Sequence, residues 1–363
     1  MTKGSQPLLA VVVIARNEAT HIAMCLDATL KAIAPYPGTP VILVDSDSTD
    51  DTVQIATSFP IDVYRYRAGI RTAAAGRWIG AKLVEADYLL FVDGDCEIET
   101  AWLPVALTCL QQRPDVAVVY GQRREVYEGV PPGYASAAAP DEATLGGNAL
   151  YRAAALHAVG GFHPFLASEE EAELLARLHG AAYTAAVTPD LMITHYTIPK
   201  DTWRGHLRRI GRRMTIGPGQ VLRSAIPQGL FGYHARRLNR LLLMLTYLAA
   251  GLACGVADLA GAPAWLAWGW LVVGVVAFVV LWYRRGDLRS TTYIATDWVL
   301  GAIGVVVGFL LALPLPRSFD PVVERVQHSA SSSEPAILPE RWRGSWVTGA
   351  LASNATAHQR SQS

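Results

Sequence analysis

The first two hundred residues alternate short apolar runs with longer stretches in which apolar positions recur every three or four residues. Residues 8–14, 41–44, 61–66, 88–92 and 116–120 form these runs, rich in valine, isoleucine and leucine, with Asp62 and Arg65 as exceptions in the third, which reads only as a short strand. Runs of that length, apolar at consecutive positions, fit strands buried on both faces. Between them lie helical patterns. Ile22, Leu26 and Leu30 share one face, and Asn17 or Thr20 is placed to cap that helix. Val53 and Ile55 mark a second helix, residues 69–86 an alanine-rich third, and residues 101–112 a fourth that Pro114 ends. Strand, helix, strand, helix in regular succession predicts an α/β domain with a mostly parallel central sheet and helices on both faces. Residues 127–141, with Pro131, Pro132, Gly133 and Pro140, read as a loop.

The pattern changes after residue 200. Residues 203–216 carry Trp203, Leu207, Ile210, Met214 and Ile216 among Arg204, Arg208, Arg209, Arg212 and Arg213, the make-up of a basic amphipathic interfacial helix. Three nearly charge-free runs follow at 241–257, 259–283 and 298–313. Each approaches the length that crosses a bilayer, aromatic residues stand at the ends of the second, and glycine and alanine permit close helix packing. The organisation read from this is a catalytic domain over 1–200, a basic segment over 201–240, a transmembrane domain of about three helices over 241–316 and a polar, flexible tail over 317–363. Arginines at 236, 237 and 240 precede the first run and arginines at 284, 285 and 289 follow the second. By the positive-inside rule these flanks face the cytoplasm. The expected location is therefore a multi-pass protein of the cytoplasmic (inner) membrane with its catalytic domain on the cytoplasmic side. Three crossings would put the tail on the other side, although the tail carries arginines of its own.

Composition adds constraints. Lys plus Arg and Asp plus Glu are both 31, so no global field favours nucleic acid. The four cysteines are scattered without zinc or disulfide spacing, and the N-terminal stretch lacks the character of a signal peptide. The chemistry gathers at the strand ends. Asp93-Gly94-Asp95 closes the fourth apolar run, and the cluster 45–50 closes the second with Asp45, Asp47 and Asp50. The carboxyl ends of strands in an open α/β sheet line the crevice where ligands bind, and carboxylates there are solvated, paired or holding a cation. No Gly-x-Gly-x-x-Gly and no Walker loop is present, so nucleotide binding falls to the acids. Glu169, Glu170, Glu171 and Glu173 crowd one helix start, where acids pointing away from the core are cheap. One of them is a candidate general base. His195 has no cysteine or histidine near it in sequence and reads by itself as structural.

The segments VVVIARNEATHIAMCLDAT at 11–29, VDSDSTD at 44–50, RTAAAGRWIGAKLVEADYLLFVDGD at 71–95, and Gly147–Arg152 with VGGF at 159–162, in this order, resemble a family 2 glycosyltransferase of the GT-A fold. The resemblance covers about residues 8–200. It implies a nucleotide-diphospho-sugar transferase domain followed here by a helical membrane domain. It further implies that Asp45, with Asp47 beside it, recognises the nucleotide base. Asp93 and Asp95 would meet the ribose–diphosphate and its Mg²⁺ or Mn²⁺, and Arg77 would lie near the diphosphate. His195 resembles a histidine that some such enzymes add to the metal site. The family's Glu-Asp-x-Asp/Glu-Leu base motif corresponds to Glu170-Glu171-Ala172-Glu173-Leu174, which makes Glu171 the expected base, with Glu170 adjoining. The Gln-x-x-Arg-Trp segment of relatives that make long polymers is missing, which argues against a processive synthase.

The reaction implied is inverting transfer of a sugar from a nucleoside diphosphate to a membrane-associated acceptor: a polyprenyl phosphate, a lipid-linked glycan or a glycolipid in envelope glycan or glycolipid synthesis. Membrane lipid and envelope polysaccharide assembly proteins are the expected partners. The competing reading, given room by the unusual run of glutamates, is a non-catalytic glycosyltransferase-like scaffold in a polysaccharide assembly complex.

Overall fold

The computed structural model describes residues 8–130, 147–199 and 202–328. Residues 131–141 of the expected loop and 329–363 of the expected tail lie outside them.

The chain begins as the apolar pattern predicts. β1 (Leu9–Ala15), α1 (Ile22–Ile33), β2 (Val41–Asp45), α2 (Thr52–Ala56), β3 (Asp62–Arg67), α3 (Ala73–Leu83) and β4 (Tyr88–Asp93) build the parallel half of the sheet, in the order β4-β1-β2-β3. Every β1 residue is buried, because both sheet faces are covered. Leu9, Val11 and Val13 join the core beneath α1, while Ala10, Val12 and Ile14 join the core beneath α3. One strand thus supplies two cores by the alternation of its side chains.

The second half departs from a parallel scheme. β5 (Cys96–Ile98), α4 (Trp102–Gln112), β6 (Val116–Tyr127), β7 (Ala149–Arg152), α5 (Ala153–Ala158), α6 (Glu170–Gly180) and β8 (Thr184–Thr197) follow. β7 runs antiparallel to both β4 and β6, β8 pairs parallel to β6, and β5 pairs antiparallel to β8. Among the described residues four strand pairs are parallel and four antiparallel, so the sheet is mixed rather than mostly parallel. β6 and β8 outrun the apolar positions that announce them. Their outer halves alternate partly exposed polar residues and are held by pairing with each other.

The basic segment forms α7 (Trp203–Gly211), a 3-10 turn at Met214–Ile216, α8 (Gly217–Ala225) and α9 (Phe231–Arg237). It is fastened to the catalytic domain: Ser168 Oγ donates to the Met214 carbonyl at 2.7 Å, and the Ala167 amide donates to Gln220 Oε1 at 3.0 Å. Three long helices come next, α10 (Asn239–Leu259), α11 (Trp265–Arg285) and α12 (Leu288–Leu310), each long and apolar enough to cross a membrane.

The chain then comes back. β9 (Val322–Gln327) pairs antiparallel with β3 and becomes the ninth strand, giving the order β5-β8-β6-β7-β4-β1-β2-β3-β9. Ahead of it, Phe319 is buried against Trp78 and Phe165, with ring centroids 5.3 and 5.4 Å away. The expectation of a flexible tail from residue 317 fails for this stretch. Its alternating Val-Val-Glu-Arg-Val-Gln is a half-exposed edge strand, a pattern too short and too polar to stand out in sequence.

Candidate active site

Two acidic networks meet at the carboxyl edge of the parallel strands, one on each aspartate of Asp93-Gly94-Asp95. Asp93 ends β4. Its Oδ1 accepts from Arg77 Nη2 at 2.7 Å, its Oδ2 accepts from Asn148 Nδ2 at 3.1 Å, and its amide donates to Asn148 Oδ1 at 2.8 Å. Arg77, on α3, is 2% exposed, and its Nη1 reaches Glu170 Oε1 at 2.8 Å and Glu171 Oε1 at 3.3 Å. A Cβ at Gly147 would fall 1.3 Å from Arg77 Nη2, so a glycine is required for the guanidinium to lie where it does. The three surrounding carboxylates hold Arg77 firmly protonated in spite of its burial.

The glutamates of α6 part company. Glu169 caps the helix at φ 69° and pairs with Arg237. Glu173 is buried and held bidentate by Arg177, which keeps its pKa low against the effect of burial. Glu170 and Glu171 share one guanidinium nitrogen, and Glu170 has the shorter bond. Burial, and then the charge of Glu170, push the Glu171 carboxyl well above its ordinary range, while Glu170 is raised by burial against the pull of Arg77. The expectation that this first turn points its acids away from the core is overturned. Glu170 and Glu173 are buried because Arg77 and Arg177 supply internal countercharges.

Asp95 meets different company. His195, on β8, stands between two acids: its Nδ1 lies 2.8 Å from Glu125 Oε2 and its Nε2 3.4 Å from Asp95 Oδ2. Although burial opposes it, these two carboxylates raise the imidazole pKa to about 9. Asp95 is pushed upward by burial but held low by His195 and by the more distant charge of Arg208. Glu18, in the turn after β1, is raised to about 7 by burial and by the charge of Asp95, offset in part by Arg212 and Arg208. Two arginines of the basic segment therefore project their charge into the site.

Sequence reasoning passed over Glu18 and Glu125. Glu125 sits in the polar half of β6, where no apolar run marks a strand. Glu18 follows Asn17, whose φ of 57° folds the loop onto Ser48 and Thr52.

Asp95, Cys96 and His195 form a group whose ligand atoms all lie within 4.8 Å of one another. A carboxylate oxygen and an imidazole nitrogen suit Mn²⁺, and oxygen alone suits Mg²⁺. Glu125 on Nδ1 turns Nε2 toward Asp95, the orienting contact that metal-bound histidines have. Burial and the charges of Asp95 and Asp93 keep the Cys96 thiol protonated, which makes it the poorest donor of the three. The residues present fit a divalent cation on Asp95 and His195.

The remaining expected residues fall elsewhere. Asp93 stands outside the metal group, its two oxygens taken by Arg77 and Asn148. Arg77, expected beside a diphosphate, is instead enclosed by carboxylates. Asp45, expected to face a base, is fully buried: it accepts from the Ser48 amide and hydroxyl, with Arg65 Nε at 3.4 Å. Asp47 is the accessible member of that pair, at φ 59° and bound to Arg71 and Arg67.

Residues 10–166 match the model of the family described as glycosyl transferase family 2. The chain is 30% identical over 101 residues to glycosyltransferase AglE of Haloferax volcanii, a match covering 27% of this chain and 33% of that protein. The match thus spans about a third of the relative's length. Among solved structures, the mannosyltransferase PcManGT of Pyrobaculum calidifontis, in complex with GDP-Man and Mn²⁺, superposes with a TM-score of 0.57 at 20% identity, covering 84% of this chain and 88% of that one. That likeness bears on the fold, a GT-A domain followed by apolar helices.

Proposed function

We propose that this chain, whose residues 10–166 belong to glycosyl transferase family 2, transfers a sugar with inversion from a nucleoside diphosphate to a membrane-associated acceptor. The observation that carries the reading is the Arg77 bridge. One guanidinium ties Asp93, at the strand end where donors bind, to Glu171 at 3.3 Å. A half-buried glutamate whose pKa is raised by desolvation and by Glu170, and whose ion pair is the weaker of two, is suited to take a proton from an acceptor.

In this scheme Glu171 accepts the proton of an acceptor hydroxyl. The freed oxygen attacks the anomeric carbon, the bond from that carbon to the diphosphate oxygen breaks, and the nucleoside diphosphate departs with the bonding pair. A single base with direct displacement gives inversion. Glu170 and Arg77 hold Glu171 in place. Asp47, with Arg71 and Arg67, is the exposed acid available to the nucleoside. Asp93 fixes the β4 turn, so that Asp95 and His195 face the crevice. Mg²⁺ or Mn²⁺ on Asp95 and His195 would supply neutralisation of charge on the diphosphate. The donor complex of the Pyrobaculum calidifontis enzyme supports the substrate and metal class.

A membrane-associated acceptor is supported by α7. Trp203, Leu207, Ile210 and Met214 are exposed on one side, while Arg208 and Arg212 act on Asp95 and Glu18 from the other. A cleft lined by Glu169, Arg209, Arg237, Arg240, Leu241 and Trp298 lies where α6 meets the long helices. Arginines beside apolar walls suit a phosphate head on an apolar tail. The location proposed is the inner membrane, with the catalytic domain toward the cytoplasm.

The test is a screen of UDP- and GDP-sugars with native membrane lipids and Mn²⁺, read by product mass for the full chain and for Glu171→Gln. Transfer of one sugar residue by the wild type and loss of it in the variant is the expected result. A full-rate Glu171→Gln enzyme, or no nucleoside diphosphate binding in calorimetric titration with Mn²⁺, would overturn the reading.

A further inference from the structure

Three helices qualify by length and composition as membrane spans, yet they are not placed alike. α10 and α11 have no buried residue. α12 has a buried face made by Ser290, Thr291, Ile294, Ala302, Gly304, Val305 and Gly308. That face lies against the basic segment for most of its length. Tyr293 packs on His206 with ring centroids 5.1 Å apart, and Asp297 pairs with Arg209. A Cβ at Gly304 would lie 1.9 Å from the Thr215 carbonyl oxygen, and one at Gly308 would lie 2.0 Å from that of Ile216. Arg223 Nη1 donates to the Phe309 carbonyl at 2.8 Å. From Tyr293 to Phe309 is ~24 Å of helix at 1.5 Å per residue. Residues 206–223, the segment that Ser168 and Ala167 fasten to the catalytic domain, follow it over this length, while Gly301 and Val305 also meet Leu241 and its neighbours on α10.

Both ends of α12 are thus on the catalytic side. A few residues beyond it, Leu313 packs on the catalytic core and Phe319 is buried there, and β9 then pairs with β3, with Arg325 Nη2 3.0 Å from Asp62 Oδ2. A hydrocarbon core of ~30 Å cannot separate two hydrogen-bonded strands. The number of crossings between residues 239 and 311 is therefore even.

We propose that α10 and α11 alone cross the bilayer, as a hairpin, and that α12 lies along the membrane surface as a strut between hairpin and catalytic domain. Each hairpin helix has 21 residues, ~32 Å, which matches the hydrocarbon thickness. Tyr247 and Trp270 stack across the pair at 4.9 Å. The indole N–H donates to the Tyr247 carbonyl at 2.9 Å and the Tyr247 hydroxyl donates to the Trp270 carbonyl, so the two polar atoms are satisfied within the hairpin. Arg236, Arg237 and Arg240 stand at its entry, Arg284, Arg285 and Arg289 at its exit, and the turn at 260–264 has no charge. Both charged flanks then lie on one face, as the positive-inside rule requires. On α12, Ile303, Val306, Val307 and Leu310 form an exposed apolar stripe at helical spacing, opposite the buried glycines. That stripe is the lipid contact of a helix lying in the interface plane.

The experiment is site-directed labelling of the full chain in sealed membranes with an impermeant maleimide, after Cys109→Ser and Cys254→Ser. Single cysteines are placed by Gln54→Cys on the catalytic domain, Ala264→Cys in the hairpin turn, Arg285→Cys after α11 and Ser318→Cys after α12. Positions 54, 285 and 318 are expected to react from one face and position 264 only from the other. Reaction of 318 from the face of 264 would establish three crossings and overturn the proposal. Reaction of 264 from the face of 54 would show that the hairpin does not cross, and would overturn it too. The double variant Arg67→Cys/Val322→Cys, at paired positions of β3 and β9, gives a second readout. Oxidation in native membranes is expected to join them within one chain, and failure to do so counts against the shared side. Neither measurement depends on transfer activity.

Discussion

Asp93 and Asp95 stand two positions apart and have opposite surroundings. Asp93 belongs to a closed network in which a buried arginine and an asparagine occupy its carboxylate. Asp95 belongs to a network in which His195 stands between Asp95 and Glu125, Arg123 pairs with Glu125 at 2.8 Å, and Glu18 is raised to about 7 by burial and by the charge of Asp95. The contrast divides labour between holding and acting. A closed network lowers the cost of burying charge and fixes geometry. In the other network Asp95 has no arginine in direct contact among the described residues and shares its histidine with Glu125, which leaves a carboxylate that an incoming cation can meet.

The contrast can be broken at Arg77 first. Arg77→Met leaves Asp93, Glu170 and Glu171 without their shared countercharge in a buried site, at an expected cost of about 3–5 kcal/mol. Thermal unfolding of the purified chain would show it as a collapse of stability. Asp95→Asn should leave the unfolding midpoint nearly where it is and lower transfer by about 10²–10³-fold, the range for removing one group that stabilises developing charge. Steady-state rates set beside melting curves would separate the two, and a destabilised Asp95→Asn would erase the distinction drawn here.

Glu125→Gln probes the orienting contact on His195. It is expected to weaken Mn²⁺ binding by about 10–100-fold, measured by titration calorimetry on the full chain, with little change in nucleotide affinity without metal. The smallest effect concerns pH. Because burial and Glu170 raise the Glu171 pKa, the base is protonated at pH values below that raised pKa and ionised above it. The transfer rate should rise with pH through the raised value and fall about tenfold per pH unit on its acid side. Glu170→Gln removes a neighbouring negative charge and should move that limb to lower pH. A limb that stays put would assign the titration to another group.

Much of the parallel half was legible because its physics is local. β1, β2 and β4 are apolar and buried on both faces, and β2 and β4 end in Asp45 and Asp93, acids that no apolar strand needs. The polar half of β6 was not legible. Gln122, Arg123 and Glu125 resemble a loop until β8 lies beside them, and β8 is itself weakly apolar. The site divides in the same way. Asp95 announced itself by position, and Glu171 by its place in a motif. The isolation of Glu171 from Glu170 depends on Arg77, far away in sequence, and on the 3.3 against 2.8 Å that decides which acid is better paired. The Glu173–Arg177 pair, at i and i+4, was the one countercharge that spacing could have revealed. For α12, hydropathy reported an apolar helix, while Gly304 and Gly308 carried the further information that backbone approaches it closely.

β9 also orders events in time. Asp62 and Arg325 are 263 positions apart, so β3 emerges from the ribosome long before its partner exists. Through that interval its outer edge presents unpaired amides and carbonyls, the template on which chains join wrongly. On the hairpin topology proposed above, the sheet closes only after α10 and α11 have been made and threaded into lipid. A chain halted before residue 322 keeps an open edge and is expected to aggregate or be degraded, so completion of the fold reports that membrane insertion has already succeeded.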